Sequence, residues 1–200
     1  MPFIALLDLE SVLIPELWPI LAKELGVKEL ELTTRQVADK KALNDLRLKA
    51  LKKSGVTVAK IEKLMAKVKP LSGAPEFLKW LSARMPFVVV TDCFRGLAAP
   101  VLQNIGVHGV VAHDWVIKKG KVSALPLRAQ GDTKAPVAEA FKALGFTVVA
   151  VGDSLNDVGM LKAADLGLFY KPSPRAEAAA PKIKACKSYA EVKKAISKIL

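Results

Sequence analysis

A chain of 200 residues has room for one domain of ordinary size with a smaller insertion, and excludes two independent large domains. Hydrophobic residues make up 52% and charged residues 25%, enough apolar surface for a sizeable core, which excludes wholesale disorder. The formal charge of +12 raises a nucleic-acid or membrane-surface reading, but residues 15–71 and 171–200 each carry +6, mostly as lysines on the polar faces of amphipathic segments such as Lys60 to Lys69; a solvated face, with no nucleic-acid or membrane partner, is the expectation.

Phe3 to Leu7 is a continuous apolar run ending in acids, as a buried parallel strand would be. The N-terminal apolar run Pro2 to Leu7 is too short for a secretory signal core and has no basic flank, and Cys93 and Cys186 alone cannot build a disulfide framework, so an unexported, cytoplasmic protein is expected. From Glu16 to about Lys69 the pattern turns helical: Leu17, Ile20, Leu21 and Leu25; then Leu43, Leu46, Leu48 and Leu51; then Ile61, Leu64, Met65 and Val68. Phe77, Leu78 and Leu81 mark a further helix, leading into a strand over Phe87 to Val90. Leu97 to Ile105 reads as helix, Val110-Val111, Trp115 to Ile117 and Val122 to Leu127 as short strands, and Val137 to Leu144 as helix. A strand over Thr147 to Val151, a helix near 155–164, a strand over Leu166 to Tyr170, a Pro-rich loop and a helix from Tyr189 to Ile199 complete the chain. Strands alternating with helical crossovers predict an α/β fold with a mostly parallel sheet covered on both faces. No run is uncharged and apolar enough for a membrane-spanning helix.

Ligands of such sheets bind beyond the carboxyl ends of the strands. There the chain carries Asp8-Leu9-Glu10-Ser11, Thr91-Asp92 and Gly152-Asp153-Ser154-Leu155-Asn156-Asp157, with Asp132-Thr133-Lys134 opening a helix. Taken singly, an acid or hydroxyl after a strand is a cap or turn residue and a lysine a solvated one. Together, several carboxylates converging beyond two strands would repel one another unless a cation were present, and an all-oxygen donor set suits Mg²⁺.

In that order the set resembles the haloacid dehalogenase superfamily of phosphohydrolases: Asp8-Leu9-Glu10, Thr91, Lys134 and Gly152 to Asp157 match its four motifs. The resemblance implies a Rossmann-like core of residues 1–14 and 72–200 with a small helical cap, residues 15–71, inserted after the first strand. It narrows to phosphoserine phosphatases, and within them to the bifunctional phosphoserine phosphatase/homoserine phosphotransferase branch, through Asp8 to Trp18, Leu46-Arg47-Leu48, Lys69-Pro70-Leu71, Thr91-Asp92 with Phe94, and Gly152 to Asp157. Glu10, where most of the superfamily has aspartate, agrees with that branch; Ser11 in place of glycine and Thr91 in place of serine depart from it.

The family likeness implies Asp8 as nucleophile and Glu10 as general acid and base, with Mg²⁺ held by Asp8, the Glu10 carbonyl and Asp153, supported by Asp157. Thr91 and Lys134 would bind phosphoryl oxygens, Arg47 the substrate carboxylate and Glu16 its amino group; Asn156 would orient the site, in which Asp92 lies by position. The implied substrate is L-phosphoserine, with L-homoserine as a second acceptor, and the alternative is another small phosphomonoester, a sugar or nucleotide phosphate. A monomer or homodimer is expected. His108 and His113 read as structural or surface residues. A phospho-accepting receiver domain fits less well, because its acid pair precedes the phosphorylated aspartate whereas here the acid pair follows Lys134.

Overall fold

The computed structural model describes all of the 200 residues except 34, 35, 38 and 130. Its strands are β1 (Phe3–Leu7), β2 (Phe87–Phe94), β3 (Val110–His113), β4 (Val116–Lys118), β5 (Lys121–Ala124), β6 (Thr147–Gly152), β7 (Leu166–Tyr170) and β8 (Lys184–Cys186). Six of them form one sheet in the order β3-β2-β1-β6-β7-β8, every neighbouring pair parallel, and β4 and β5 form a separate antiparallel hairpin.

Strand periodicity builds two cores from the same strands. Ala5, Leu7, Val149, Val151 and Leu168 face one hydrophobic cluster, while Ile4, Leu6, Val148, Ala150 and Phe169 face the other. The helices α4 (Ala74–Ser82), α5 (Arg95–Asn104) and α9 (Tyr189–Ile196) cover the first face; α6 (Ala135–Ala143), α7 (Val158–Ala163) and α8 (Pro174–Ala179) cover the second. Burial on both faces explains why the central strands read as unbroken apolar runs.

Between β1 and β2 the chain makes α1 (Leu17–Leu25), a 3-10 turn over Lys28–Glu31, α2 (Lys40–Ser54) and α3 (Val58–Met65). Asp39 caps α2 by accepting from the N–H groups of Lys41 and Ala42, and Gly55 ends it in the left-handed conformation, φ 67°. The inward face of α2 differs from the expected leucine stripe. Leu43, Asn44, Arg47, Ala50 and Leu51 are buried and Leu46 is 43% exposed, so two polar side chains share the inward face with Leu43, Ala50 and Leu51. The β4–β5 hairpin joins this layer: Asn44 Nδ2 donates to the Leu125 carbonyl (3.4 Å) and the Val58 N–H to that of Gly120 (2.9 Å). Lys52, Lys53, Lys60, Lys63 and Lys67 are all exposed, as a solvated face requires. Among the described residues no helix is long and apolar enough to cross a membrane.

Two elements differ from the sequence reading at the C-terminal end. The expected Pro-rich loop contains α8, capped by Ser173 with Pro174 in its first turn, where a missing N–H costs nothing. The edge strand β8, of 3 residues, was too short to show a pattern. The last helix, α9, packs Tyr189 between Phe77 and Tyr170, with ring centroids 5.0 and 4.5 Å away, and the Tyr189 hydroxyl donates to the Val12 carbonyl at 2.6 Å. That bond ties the C-terminal helix to the loop after β1. Tyr189→Phe leaves a buried carbonyl without its donor, and thermal or urea unfolding should show a loss of about 1–2 kcal/mol; an unchanged midpoint would show that the bond contributes nothing.

Candidate active site

Asp8 follows β1, Asp153 follows β6, and their strands are adjacent and parallel, so the two carboxylates emerge side by side. The Asp8 N–H donates to the Val151 carbonyl at 2.9 Å, continuing the ladder one residue past the strand. Beyond it the chain folds into a tight loop, with the N–H groups of Leu13 and Ile14 donating to the Leu9 carbonyl (2.8 and 3.1 Å) and that of Ser11 to the Ile14 carbonyl (2.7 Å). Ser11 has φ 64°, the left-handed region in which glycine is at ease, so the serine that departs from the branch pattern occupies a glycine conformation.

Lys134, 2% exposed just before α6, supplies the positive charge. Its ammonium lies 2.6 Å from Asp8 Oδ1 and 2.6 Å from Asp157 Oδ1. The other Asp157 oxygen, Oδ2, accepts from the N–H of Asp153 (3.0 Å), the N–H of Ser154 (2.9 Å) and the Ser154 hydroxyl (2.9 Å). Asp157 thus holds the loop that presents Asp153. The approach is close enough that a Cβ on Gly152 would lie 2.4 Å from Asp157 Cβ, which only glycine avoids.

Asp8, Asp153 and Asp157 bring carboxylate oxygens within 4.8 Å of one another, an arrangement able to hold a cation. One ammonium cannot balance three carboxylates. Burial, then the charge of Asp157, push the Asp8 carboxyl well above the usual range against the pull of Lys134. Burial and Asp157 push Asp153 up to about 7. Burial alone would lower Lys134, but Asp157, Asp8 and Asp92 outweigh it and raise its pKa.

Glu10 is placed differently. Its Oε1 accepts the N–H of Leu17 at 2.7 Å, the first residue of α1, so one carboxyl joins the loop after β1 to the start of the helical insertion. Burial raises its pKa, with Glu16 adding to the shift and Leu17, Arg47 and Lys134 opposing it. A carboxyl that retains its proton at higher pH suits a general acid.

A cavity of about 150 Å³ is lined by Asp8, Glu10, Glu16, Arg47, Thr91, Asp92, Lys134, Asp153 and Asn156, together with Ser11, Trp18 and Cys93. Nine of the ten residues singled out from the sequence therefore face one space, and the tenth, Asp157, lies behind it, fully buried. Thr91 is buried within β2, where the register against β3 shifts between Val90 and Phe94, and its hydroxyl accepts the N–H of Cys93 at 3.1 Å. Arg47 is 9% exposed, with its guanidinium 4.5 Å over the Trp18 ring and Nη2 donating to the Leu32 carbonyl at 3.0 Å. Among the described residues its Nε is buried without a partner, and burial lowers its pKa to about 10. His108 is exposed and His113 buried, the latter packed on Phe94.

Among the side chains at the site that the sequence did not single out are Pro19, Thr33 and Cys93, which line the cavity, and Lys40 and Thr133, which both bond Asp92. Thr133 lay inside a quoted motif, but Lys40 at the start of a helix gave no signal beyond standing seven residues before Arg47.

The chain belongs to the haloacid dehalogenase-like hydrolase family, whose model matches residues 7–165. Among individual relatives, the phosphoserine phosphatase of Pseudomonas syringae pv. tomato is 35% identical over 192 residues, covering 96% of this chain and 81% of the relative. Phosphoserine phosphatase ThrH of Pseudomonas aeruginosa is likewise 35% identical over 192 residues, covering 96% and 93%. A crystal structure of a phosphoserine phosphatase in apo form superposes over 93% of each chain with a TM-score of 0.76 at 24% identity, a likeness of fold.

The raised Asp153 carboxyl has a consequence for stability. Between the unfolded value of 3.8 and the folded value of about 7, the folded protein binds more protons than the unfolded chain, so this group weakens the metal-free fold as pH rises through that window. Asp153→Asn should raise the melting temperature of the metal-free protein by on the order of 5 °C at about pH 8 and far less at about pH 4. Equal shifts at both would contradict the electrostatic account.

Proposed function

We propose that this protein is a Mg²⁺-dependent phosphatase that hydrolyses L-phosphoserine through an aspartyl-phosphate at Asp8, and that L-homoserine can replace water as acceptor. The observation that carries the reading is one small cavity lined both by the Asp8–Lys134 pair of the core and by Arg47 and Glu16 of the helical insertion. At about 150 Å³ it lies below the ~300–1,000 Å³ usual for larger ligands, and so favours a substrate of few atoms. The curated relatives named phosphoserine phosphatase support the same substrate. Residues 15–71 act as a cap on a core of 1–14 and 72–200.

In the first step an Asp8 carboxylate oxygen attacks phosphorus and the bond from phosphorus to the seryl oxygen breaks. Glu10 gives that oxygen a proton. In the second step Glu10, now ionised, takes a proton from water, whose oxygen attacks phosphorus and releases phosphate and the Asp8 carboxylate. The hydroxyl of homoserine takes the place of water in the transfer reaction, with no other change of roles. Lys134 places its charge against Asp8, and Thr91, which lines the same cavity, would bind a phosphoryl oxygen.

The carboxylates fit a hard divalent cation, because three anionic oxygens share a buried site with a single ammonium. Asp8, Asp153 and the Glu10 carbonyl would hold Mg²⁺, with Asp157 behind them, and the ion would supply positive charge as anionic substrate meets anionic nucleophile. Arg47 offers a planar fork to the substrate carboxylate, its buried Nε having no acceptor among the described residues, and Glu16 pairs with the amino group. Asn156 lines the same cavity and orients the bound group.

Phosphate release from L-phosphoserine with Mg²⁺, with and without L-homoserine, tests this directly. Asp8→Asn should abolish turnover, chelation should abolish it reversibly, and phosphohomoserine should appear as a second product. Arg47→Ala should raise KM for phosphoserine by about 10- to 100-fold and leave an aryl phosphate nearly unaffected. Equal effects on both substrates would remove the role of Arg47. Activity on an aryl phosphate with none on phosphoserine would point to another small phosphomonoester, a sugar or nucleotide phosphate.

A further inference from the structure

We propose that Lys40 is a positioning residue: its ion pair with Asp92 latches α2 onto the sheet and thereby sets where Arg47 stands in the cavity. The inference rests on the carboxylate-binding role given to Arg47 above.

Lys40 is the first residue of α2, and its ammonium lies 2.6 Å from Asp92 Oδ2 on β2, joining the helical insertion to the core across 52 residues of sequence. The side chains are 27% and 18% exposed, so the pair is more shielded than the surface pair Lys41–Asp45, whose side chains are 78% and 63% exposed. Burial alone would raise the Asp92 carboxyl, but Lys134, Lys40 and Thr133 together lower its pKa, so it faces Lys40 as an anion.

The core side of the latch is built in advance. The Thr133 hydroxyl donates to Asp92 Oδ1, and His113 Nε2 lies 3.6 Å from the same oxygen. His113 Nδ1 accepts the N–H of Arg128 at 3.0 Å, which puts the neutral ring's proton on Nε2, toward Asp92. Arg128 also donates from Nη2 to the Thr133 carbonyl. One oxygen of Asp92 is thus fixed by the core, leaving the other for the lysine of the insertion.

The helix transmits the constraint. Lys40, Asn44 and Arg47 stand at positions one and two turns apart on one face of α2, about 10 Å from first to last. Arg47 itself is held by Leu32 and Trp18, both within the insertion, so its place relative to Asp8 depends on how the insertion is fastened to the core. Lys40–Asp92 is a charged fastening on the same helix, and Thr133, which precedes Lys134, links it to the phosphoryl end of the site.

The test is a kinetic series on the intact protein with Mg²⁺. Lys40→Met should raise KM for L-phosphoserine by about 5- to 20-fold while kcat stays within about twofold, and Lys40→Arg should restore KM. An aryl phosphate, with no carboxylate for Arg47, should show no change in KM. In an Arg47→Ala background, Lys40→Met should add nothing. An unchanged KM in Lys40→Met, or an equal rise with Arg47 absent, would overturn the proposal. Should the unaltered protein ignore phosphoserine, the function assignment fails separately, and amide hydrogen exchange then decides the latch: faster exchange across residues 40–54 in Lys40→Met, reversed in Lys40→Arg, supports it, and unchanged exchange overturns it.

Discussion

A buried lysine between two aspartates organises this protein. Lys134 is a cation with almost no access to water, and Asp8 and Asp157 are the anions that make its burial tolerable. The three residues come from the end of β1, the start of α6 and the turn after β6, so their meeting fixes how those elements join. Asp157 then fastens the Asp153 loop through three further bonds, and Gly152 leaves room for it. The same cluster is unbalanced: carboxylates outnumber the ammonium, and the upward shifts of Asp8 and Asp153 are the mark of that excess. Stability conceded in the metal-free fold becomes capacity to hold a cation.

The helical insertion reaches the site by polar contacts. Glu10 accepts the first N–H of α1, Arg47 projects from α2 over Trp18, and Asn44 bonds the β4–β5 hairpin from the same helix. From the opposite end of the chain Tyr189 bonds the Val12 carbonyl, bracing the loop that carries Glu10 and Ser11. The core thus supplies the carboxylates and the lysine, while the segment between β1 and β2 brings Arg47 and Glu16 to the same cavity.

Much of this architecture is legible in the sequence. The central strands β1 and β6 announce themselves because burial on both faces demands unbroken apolar runs, and polar residues crowding just beyond them mark where ligands bind in a parallel sheet. What escaped has physical reasons. The edge strand β8 has 3 residues and α8 begins at a proline, so neither shows a period. On α2, Leu46 falls in the leucine stripe and looks like a core residue, yet the inward face carries Asn44 and Arg47 and leaves Leu46 exposed. Lys40 and Thr133 meet Asp92 only through tertiary folding, and no local spacing joins residues so far apart. The left-handed backbone at Ser11 was foreshadowed only by glycine being usual there.

Asp8 is proposed to take the phosphoryl group, and chemical trapping reads this out at the residue itself. The protein is mixed with L-phosphoserine and Mg²⁺, quenched in acid, reduced with borohydride and digested, so that an acyl phosphate is read by mass spectrometry as homoserine at the modified position. Conversion is expected at residue 8 alone. Phosphate release with no conversion there, or with conversion at another carboxylate, would contradict it.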